Sequence, residues 1–246
     1  MNNVLQLLKL AARRFRSSDD YRAMQRYIAE ATLAELEARG IRLRESAVLE
    51  LGAGRGGYSA VLYRDSGSFV ASDIERDPFF DAAGIPFKIV DVTRPLPFES
   101  ESFDFIYCSS LIEHIADPTT FLRESMRVLR CGGTLFLTFP PFYSLALVGG
   151  HQFKPFHFLG ERLAVRLTNL VRGSQIADYS TCFGSFGLYP LRIDQVRRSV
   201  RQAGFEISDV YTRMSPVNTA RLPGVLKDLA TWHVCYLASK PADQGP

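Results

Sequence analysis

Short apolar runs alternate with helical segments along the chain from residue 47 onward. Five runs predict strands: AVLEL at 47–51, SFVASD at 68–73, FKIVDV at 87–92, FDFIYCSS at 103–110 and TLFLTF at 134–139. A helix is predicted after the first run, from about Tyr58 to Tyr63, and another from Asp117-Pro118 to a stop at Gly132-Gly133. This alternation predicts an α/β fold with a doubly wound, mostly parallel sheet that has helices on both faces.

Helical patterns also precede the first strand, over residues 1–17 and 19–39. In the first, one predicted face is apolar and the other basic; the apolar positions are Val4, Leu5, Leu8, Ala12 and Phe15. Such a helix can contact a membrane surface or can lie on its own domain, and the second interpretation is favoured. No apolar run approaches the ~20 residues of a membrane-spanning helix, so none is expected.

The alternation stops after Pro140-Pro141. Residues 142–190 are rich in aromatic residues and glycine, and they suggest an inserted lid over a substrate, with Gly149 and Gly150 as its hinge. A helix over 192–205 and strands over 206–214 and 232–240 follow. We therefore expect one domain over 1–246. Its parts are an N-terminal helical cap (1–40), a cofactor-binding core (47–141), the lid (142–190) and a C-terminal helix with a strand pair (191–240).

Composition narrows the function classes only slightly. The 246 residues are 46% hydrophobic and 22% charged, as in ordinary globular proteins, and a net charge of +3 is too small to indicate nucleic-acid binding. The four cysteines form no CxxC pair, which favours a reducing, cytoplasmic location over a disulfide scaffold. The amino terminus makes a poor secretory signal, and no acid–histidine grouping has metal-ligand spacing, so we expect no metal.

The most informative stretch is VLELGAGRGGYS at 48–59, where a strand leads into four glycines and then a helix. Such a loop alone can bind a dinucleotide or an adenosyl cofactor, or can simply make a tight turn. Asp73 ends the second predicted strand, 21 residues after Gly52, and Asp91 ends the third. Because the carboxyl ends of parallel strands line the ligand crevice, the loop and both aspartates predict one adenosine-sized site.

Several motifs in order resemble the class I S-adenosylmethionine-dependent methyltransferases, in particular the methyltransferase-11 type domain. They are VLELGAGRGGYS, ASDIE, IVDVTRPLPFESESFDFIYCSSLIEHIADP and MRVLRCGGTLFLTFPP, which together span about Val48 to Pro141. The resemblance implies a seven-stranded Rossmann-like sheet and S-adenosylmethionine as the cofactor. Cys131 departs from it, because the family often has proline before the double glycine.

The resemblance also implies which residues bind the cofactor. Glu50, Gly52 and Gly54 would face its methionyl part, with Ala53 in the same loop. Asp73 would bind the ribose, with Ile74 beside it. Asp91 and Val92 would bind the adenine, and the backbone near Ser109 and Ser110 would bind the ammonium group.

Other functions remain open. A dinucleotide-dependent oxidoreductase has a similar loop, but its Tyr-x-x-x-Lys spacing occurs here only at Tyr236 and Lys240, in a predicted strand that holds them some 13 Å apart. A nucleic-acid amino-methyltransferase is disfavoured, because CSSL stands where such enzymes have (D/N)PP(Y/F). A non-catalytic subunit that binds the adenosyl cofactor is the third possibility.

Methyl transfer to a hydroxyl would need a base, and histidine is the natural candidate. His114 follows the fourth strand, and His151 and His157 lie in the lid, so these three are the predicted catalytic residues. The alternatives are that His114 only orders its loop and that the lid histidines belong to a structural aromatic cluster. His233 is expected to be far from the motifs and to serve packing. The lid is basic and aromatic, which suits a small-molecule or sugar-containing acceptor. We therefore expect an enzyme that methylates such an acceptor, at oxygen rather than at nitrogen or carbon.

Overall fold

A computed structural model describes residues 4–14, 16–146, 151–183 and 186–242 of the chain, without the side chains of residues 4 and 5. Within these ranges the strands are β1 Ala47–Leu51, β2 Ser68–Asp73, β3 Phe87–Ile89, β4 Phe103–Ser109, β5 Leu129–Phe139, β6 Glu206–Thr212 and β7 Val234–Ser239. The helices are α1 Val4–Arg13, α2 Ser18–Glu37, α3 Gly57–Asp65, α4 Phe79–Ala82, α5 Thr119–Val128, α6 Glu161–Arg172, α7 Ile193–Gln202 and α8 Leu226–Ala230.

All seven strands form one sheet in the order β3-β2-β1-β4-β5-β7-β6. The first five are parallel, and β7 runs antiparallel to both of its neighbours. The predicted fold class, a mostly parallel doubly wound sheet, is confirmed. Because the strand order reverses beside β1, the carboxyl ends of β1 and β4 flank the crevice where such sheets bind ligands.

Apolar side chains cover both faces of this sheet. On one face, Leu49, Ile106 and Leu137 belong to a buried cluster with residues of α5 and α7. On the other, Val48 and Tyr107 belong to a cluster that includes residues of α1, α2 and α3. Strands β1 and β4 are therefore buried on both sides, as their nearly continuous apolar sequences require.

Helix α2 begins at a capped terminus, where the Ser17 side chain accepts a hydrogen bond from the Asp20 N–H. Helix α1 packs against α2, as the favoured interpretation predicted. Its predicted apolar face was wrong: Leu7 and Ala11 are buried, and Leu8 and Ala12 are exposed, because α2 covers the opposite side of the helix. None of the helices within the described ranges combines the length and the apolar character needed to span a membrane.

Two other predicted boundaries were wrong. Strand β3 ends at Ile89, and Val90 to Val92 leave the sheet because the Asp91 carboxylate accepts hydrogen bonds from Thr93 and turns the chain. Gly132-Gly133 do not end α5. The helix ends at Val128, and β5 begins at Leu129, which pairs with Phe103 of β4. The two glycines therefore lie within β5.

Residues 142–190, here called the lid segment, follow β5 and contain α6. They include a small buried cluster of their own, formed by Phe142, Phe153, Ala164, Val165, Tyr179 and Leu188. The predicted hinge at Gly149 and Gly150 lies outside the described residues. At the carboxyl end of the chain, β6 and β7 are each shorter than predicted, at Glu206–Thr212 and Val234–Ser239. The division of the chain into cap, core and lid remains a prediction.

Candidate active site at the carboxyl edge of the sheet

Asp73 connects the carboxyl ends of β1 and β2. Its Oδ2 accepts a hydrogen bond from the Gly54 N–H at 2.7 Å, and its Oδ1 accepts one from the Ile74 N–H at 2.7 Å. The N–H groups of Gly52 and Ala53 both donate to the Ser72 carbonyl oxygen. Asp73 thereby fixes the shape of the glycine loop. Because each carboxylate oxygen can accept a further bond, Asp73 can also receive hydroxyl donors from a ligand.

Two glycines of the loop have different tasks. At Gly54 the backbone is left-handed, with φ of +54°, and a Cβ built there would meet no atom within 4 Å. This position therefore leaves open space in which a ligand can approach the backbone. At Gly57 a Cβ would lie 2.4 Å from Cβ of Gln25, so this glycine permits the close packing of α3 on α2.

Glu50 lies beneath the loop, only 1% exposed. The Ser59 hydroxyl donates a hydrogen bond to its carboxyl group, and the Ser72 hydroxyl donates to its backbone carbonyl. Burial raises the pKa of Glu50 to about 8. The carboxyl is therefore protonated at neutral pH, and a positively charged ligand nearby would favour its ionised form.

Asp91 reaches the same edge two residues beyond the end of β3. The Val90 N–H donates to the Asp73 carbonyl oxygen at 2.8 Å, which places the two aspartates on neighbouring turns. The Asp91 carboxylate accepts two hydrogen bonds from Thr93, and these lower its pKa. Val92 packs against the core, whereas Ile74 is 44% exposed and can cover a flat apolar group.

The end of β4 contributes two serines. Ser109 is buried, and Ser110 is exposed with a left-handed backbone (φ of 56°), held by its N–H bond to the Thr138 carbonyl oxygen. Its hydroxyl lies 3.2 Å from Nε2 of His233, whose Nδ1 lies 2.7 Å from Oγ1 of Thr138. The prediction that His233 is far from the motifs was wrong, because antiparallel β7 begins at the edge where parallel β4 and β5 end.

Arg213 was missed by the sequence analysis. It follows β6 at the same edge and is 1% exposed. Its guanidinium donates to hydroxyl groups of Tyr107 at 2.8 Å and of Tyr58 and Ser109 at 3.4 Å. Within the described part of the chain, no carboxylate lies within ion-pair distance of it. Its position at the carboxyl end of the predicted strand 206–214 was the available signal, since an arginine is rare in a buried strand.

His114 lies in a short turn of 3-10 helix, Ile112–His114, that follows β4. Its Nδ1 is 2.7 Å from the Gly187 carbonyl oxygen, a pairing that places the ring proton on Nδ1 and leaves a lone pair on Nε2. Burial lowers its pKa, partly offset by this hydrogen bond and by the charge of Asp73. The imidazole is therefore neutral at pH 7, and Phe183 and Phe186 contact its ring edge-on.

Glu113, next to His114, is a second residue that the sequence analysis missed. It is 5% exposed, burial raises its pKa to about 8, and its Oε2 has no hydrogen-bond partner within the described residues. Its backbone carbonyl accepts a hydrogen bond from the Tyr189 N–H. The turn over 112–114 thus joins the sheet edge to the end of the lid segment.

The two lid histidines differ in their bonding. His151 has Nε2 2.9 Å from the Phe142 carbonyl oxygen, and its Nδ1 accepts from the Phe153 N–H, so neither nitrogen is left for an acceptor. His157 is 4% exposed, and both of its ring nitrogens are buried without a strong hydrogen-bond partner in the described structure. No group of three or more potential metal ligands occurs within the described residues.

Comparison with known proteins identifies the domain that carries this edge. Residues 49–137 match the family model described as a methyltransferase domain. A ubiquinone biosynthesis O-methyltransferase of Parvibaculum lavamentivorans is 31% identical over 122 residues, which cover 45% of this chain and 48% of the relative. An uncharacterized methyltransferase of Mycobacteroides abscessus is 28% identical over 190 residues, 73% of this chain and 70% of the relative. The chain thus spans about half the length of the ubiquinone relative.

A solved structure shares the fold of the whole sheet. The S-adenosylmethionine-dependent methyltransferase from Mesorhizobium loti aligns with a TM-score of 0.57 at 17% identity, over 85% of this chain and 97% of that one. The match over 49–137 includes the glycine loop, Asp73, Asp91 and the turn with His114. Residues 49–137 are thus similar to a methyltransferase domain, and the chain has the fold of that solved methyltransferase.

Proposed function

We propose that the protein transfers a methyl group from S-adenosylmethionine to a hydroxyl of a small-molecule acceptor held beneath the lid segment. One observation carries the proposal: the family match covers the residues that build the sheet edge, where Gly54 is open and bonded to Asp73. The name of the Parvibaculum relative, an O-methyltransferase, supports oxygen as the acceptor atom.

The residues present fit the cofactor. Asp73 would receive the ribose hydroxyls, Ile74 and Asp91 would lie at the adenine, and the open space at Gly54 would admit the methionyl part. Glu50 beneath the loop is a carboxyl that a sulfonium would favour in its ionised form. The methionyl ammonium would lie at the backbone of Ser109 and Ser110, and the buried charge of Arg213 favours an anionic group, such as a carboxylate, in the same place.

The bound cofactor would supply an activated methyl group on a sulfonium, so the protein's main task is to hold the acceptor oxygen in line with it. Orientation of this kind can contribute roughly 7–11 kcal/mol to the rate. The acceptor hydroxyl must also lose its proton. His114 is suited to accept it, because the Gly187 carbonyl holds the ring proton on Nδ1 and burial keeps the imidazole neutral.

The oxidoreductase alternative has less support. The hydroxyl of Tyr236 donates to the Ile193 carbonyl oxygen at 2.6 Å, whereas Nζ of Lys240 donates to the Leu129 carbonyl oxygen and to Glu101. The two side chains therefore make separate structural bonds and do not form the Tyr–Lys pair that hydride chemistry would use.

Titration calorimetry tests the cofactor half of the proposal. We expect S-adenosylhomocysteine to bind and NAD not to bind; NAD binding without S-adenosylhomocysteine binding would reverse the assignment. A screen of hydroxylated small molecules, with S-adenosylhomocysteine release as the readout, then tests the reaction. Cofactor binding without turnover on any acceptor would favour the non-catalytic subunit.

A further inference from the structure

The lid segment contains a cavity of about 250 Å³ beside the turn that carries His114. Its walls include the rings of Phe142, Tyr143, His157 and Tyr179. Leu188 and Tyr189 form a further part of the wall, and the Tyr189 N–H bonds to the Glu113 carbonyl oxygen, so the cavity adjoins the sheet edge. A designed cavity of roughly 150 Å³ holds benzene, and this volume therefore suits one or two fused rings.

Flat aromatic surfaces dominate the walls. The rings of Phe142 and Tyr179 have centroids 5.4 Å apart, and those of Tyr143 and His157 are 6.4 Å apart. Rings at these separations present faces and edges against which another planar ring can pack.

Two polar side chains on these walls have no strong hydrogen-bond partner. Within the described residues the hydroxyl of Tyr179 is buried and unbonded, and the buried nitrogens of His157 have only weak contacts with the backbone at Tyr143 and Pro155. A buried polar atom without a partner is unfavourable, and such atoms in native proteins generally meet a ligand or water. Together these groups offer both a donor and an acceptor to a ligand.

The charged side chains near the cavity are placed in a way that favours a neutral ligand. Arg162, Arg166 and Arg172 are exposed and do not line the cavity, and Nζ of Lys154 donates to the Ala146 carbonyl oxygen. The single ionisable carboxylate on the wall, Glu161, accepts a hydrogen bond from the Tyr179 N–H. No lysine or arginine of the described chain is among the residues that line the cavity, and the guanidinium of Arg192 is stacked on the Tyr143 ring, 4.9 Å from its centre.

We infer that this cavity is the acceptor site and takes an uncharged planar compound of one or two rings, whose polar substituents bond to His157 and Tyr179. The inference rests on the proposed function, since a further hydroxyl of the bound ring, directed towards His114 and not bonded to His157 or Tyr179, would be the group to be methylated. It narrows the range of acceptors, because the sequence left open any small-molecule or sugar-containing compound.

Binding of matched ring compounds to the full chain loaded with S-adenosylhomocysteine tests the inference. The probes are 2-naphthol, 2-naphthoate and decahydro-2-naphthol, which differ in charge and in planarity. We expect 2-naphthol to bind, and the other two to bind at least about 10-fold more weakly. Tighter binding of the carboxylate or of the saturated ring would overturn the proposed ligand class.

Two variants test whether 2-naphthol binds in this cavity. Tyr179→Phe removes only the hydroxyl and should weaken 2-naphthol binding about 3- to 10-fold, the effect of one neutral hydrogen bond. His157→Phe should weaken it at least as much. Tyr211→Phe is the matched control, because the Tyr211 hydroxyl is also buried without a strong hydrogen-bond partner but lies on β6, outside the cavity.

The outcomes separate the two proposals. Equal binding of 2-naphthol to the wild type and to the Tyr179→Phe and His157→Phe variants would overturn the assignment of the cavity. Failure of any ring to bind to a protein that binds S-adenosylhomocysteine and methylates another acceptor would overturn it too, and would leave the proposed function intact. Failure of S-adenosylhomocysteine itself to bind would instead contradict the proposed function.

Discussion

The sheet edge and the lid segment differ in whether their polar side chains have hydrogen-bond partners within the protein. At the edge, Asp73 bonds to two backbone N–H groups, and His233 lies within hydrogen-bond distance of two hydroxyls. In the lid, both nitrogens of His157 and the hydroxyl of Tyr179 are buried with no strong hydrogen-bond partner among the described residues. Hydrogen bonds within the protein thus fix the side chains of the sheet edge, whereas side chains of the lid cavity can still form hydrogen bonds with a ligand.

This difference has a physical consequence. A group such as Asp73 shapes the loop before any ligand arrives, so its geometry is preorganised and its loss damages both loop and binding. An unpartnered buried group costs roughly 1–3 kcal/mol of stability. Its removal should therefore stabilise the protein while it weakens ligand binding, a trade-off seen at many functional sites.

The largest effect is expected from His114→Asn, at the junction of the two regions. Asparagine can still donate to the Gly187 carbonyl oxygen, but it lacks the lone pair of Nε2. We expect the turnover rate with the best acceptor to fall about 10²–10⁴-fold, the usual contribution of a general base. Steady-state kinetics measures this, and S-adenosylhomocysteine affinity serves as the control because it should not change.

The pH profile sharpens the same prediction. Because burial lowers the pKa of His114 below its ordinary value of 6.5, the base is already deprotonated at pH 7. Turnover of the wild type should therefore stay level from pH 9 to pH 7 and decline only below about pH 6.5. A rate that rises steeply between pH 7 and pH 9 would point to another base.

The next largest effect is expected from Asp73→Ala. The change removes a charged acceptor from the loop and from the ribose, and hydrogen bonds to charged groups contribute about 1.5–3 kcal/mol. Affinity for S-adenosylhomocysteine, measured by calorimetry, should fall at least about 10-fold. Asp104→Ala is the matched control, because Asp104 also accepts a backbone N–H at 2.7 Å, from Ala47, but at the amino edge of the sheet. Equal affinity losses in both variants would contradict a specific role for Asp73.

Glu50→Gln should stabilise the protein in a pH-dependent manner. Burial raises the pKa of Glu50 from an ordinary 4.5 to about 8, so the folded state retains a proton that the unfolded chain releases. Stability conferred by this group is present below about pH 4.5 and is lost as the pH rises to about 8. Denaturant unfolding should show that the wild type is less stable than the variant by about 4 kcal/mol at pH 8, and by less than about 1 kcal/mol at pH 5.

A matched control fixes the sign of that effect. The carboxyl of Glu101 is exposed, and its hydrogen bond to Lys240 lowers its pKa. The stability gap between the wild type and Glu101→Gln should therefore stay constant or change in the opposite direction with rising pH. A Glu50→Gln gap that does not widen from pH 5 to pH 8 would show that Glu50 is ionised in the folded protein.

The smallest effect is expected from Tyr179→Phe on stability. Removal of a buried hydroxyl without a partner should raise the free energy of unfolding by about 1 kcal/mol, or the melting temperature by about 2–4 °C. Tyr211→Phe should give a smaller gain, because the Tyr211 hydroxyl contacts the thiol of Cys235. A loss of stability in Tyr179→Phe would mean that its hydroxyl has a bonding partner, and would remove the contrast between lid and edge.

Residues close together in the sequence predicted much of the glycine loop and its surroundings. The run AVLEL, the glycines after it and Asp73 lie within 27 residues, and they form the loop that the structure shows. Their geometry follows from neighbouring residues: a strand end, a φ-positive glycine and a carboxylate at the next strand end. The errors at β3 and α5 were also local, because side-chain bonds at Asp91 and strand pairing at Leu129 decided the boundaries.

The sequence by itself determined the sheet, the order of its elements and the position of the glycine loop, because the hydrophobic period, the turn residues and the motif spacing are properties of adjacent residues. Only the tertiary structure brought His233 to Ser110 and Arg213 to Ser109, across more than 100 residues in each case. It alone also placed the side chains of His157 and Tyr179 on one cavity wall, with no strong hydrogen-bond partner among the described residues. Hydrogen-bond satisfaction depends on which distant segments pack together, and no local pattern encodes it.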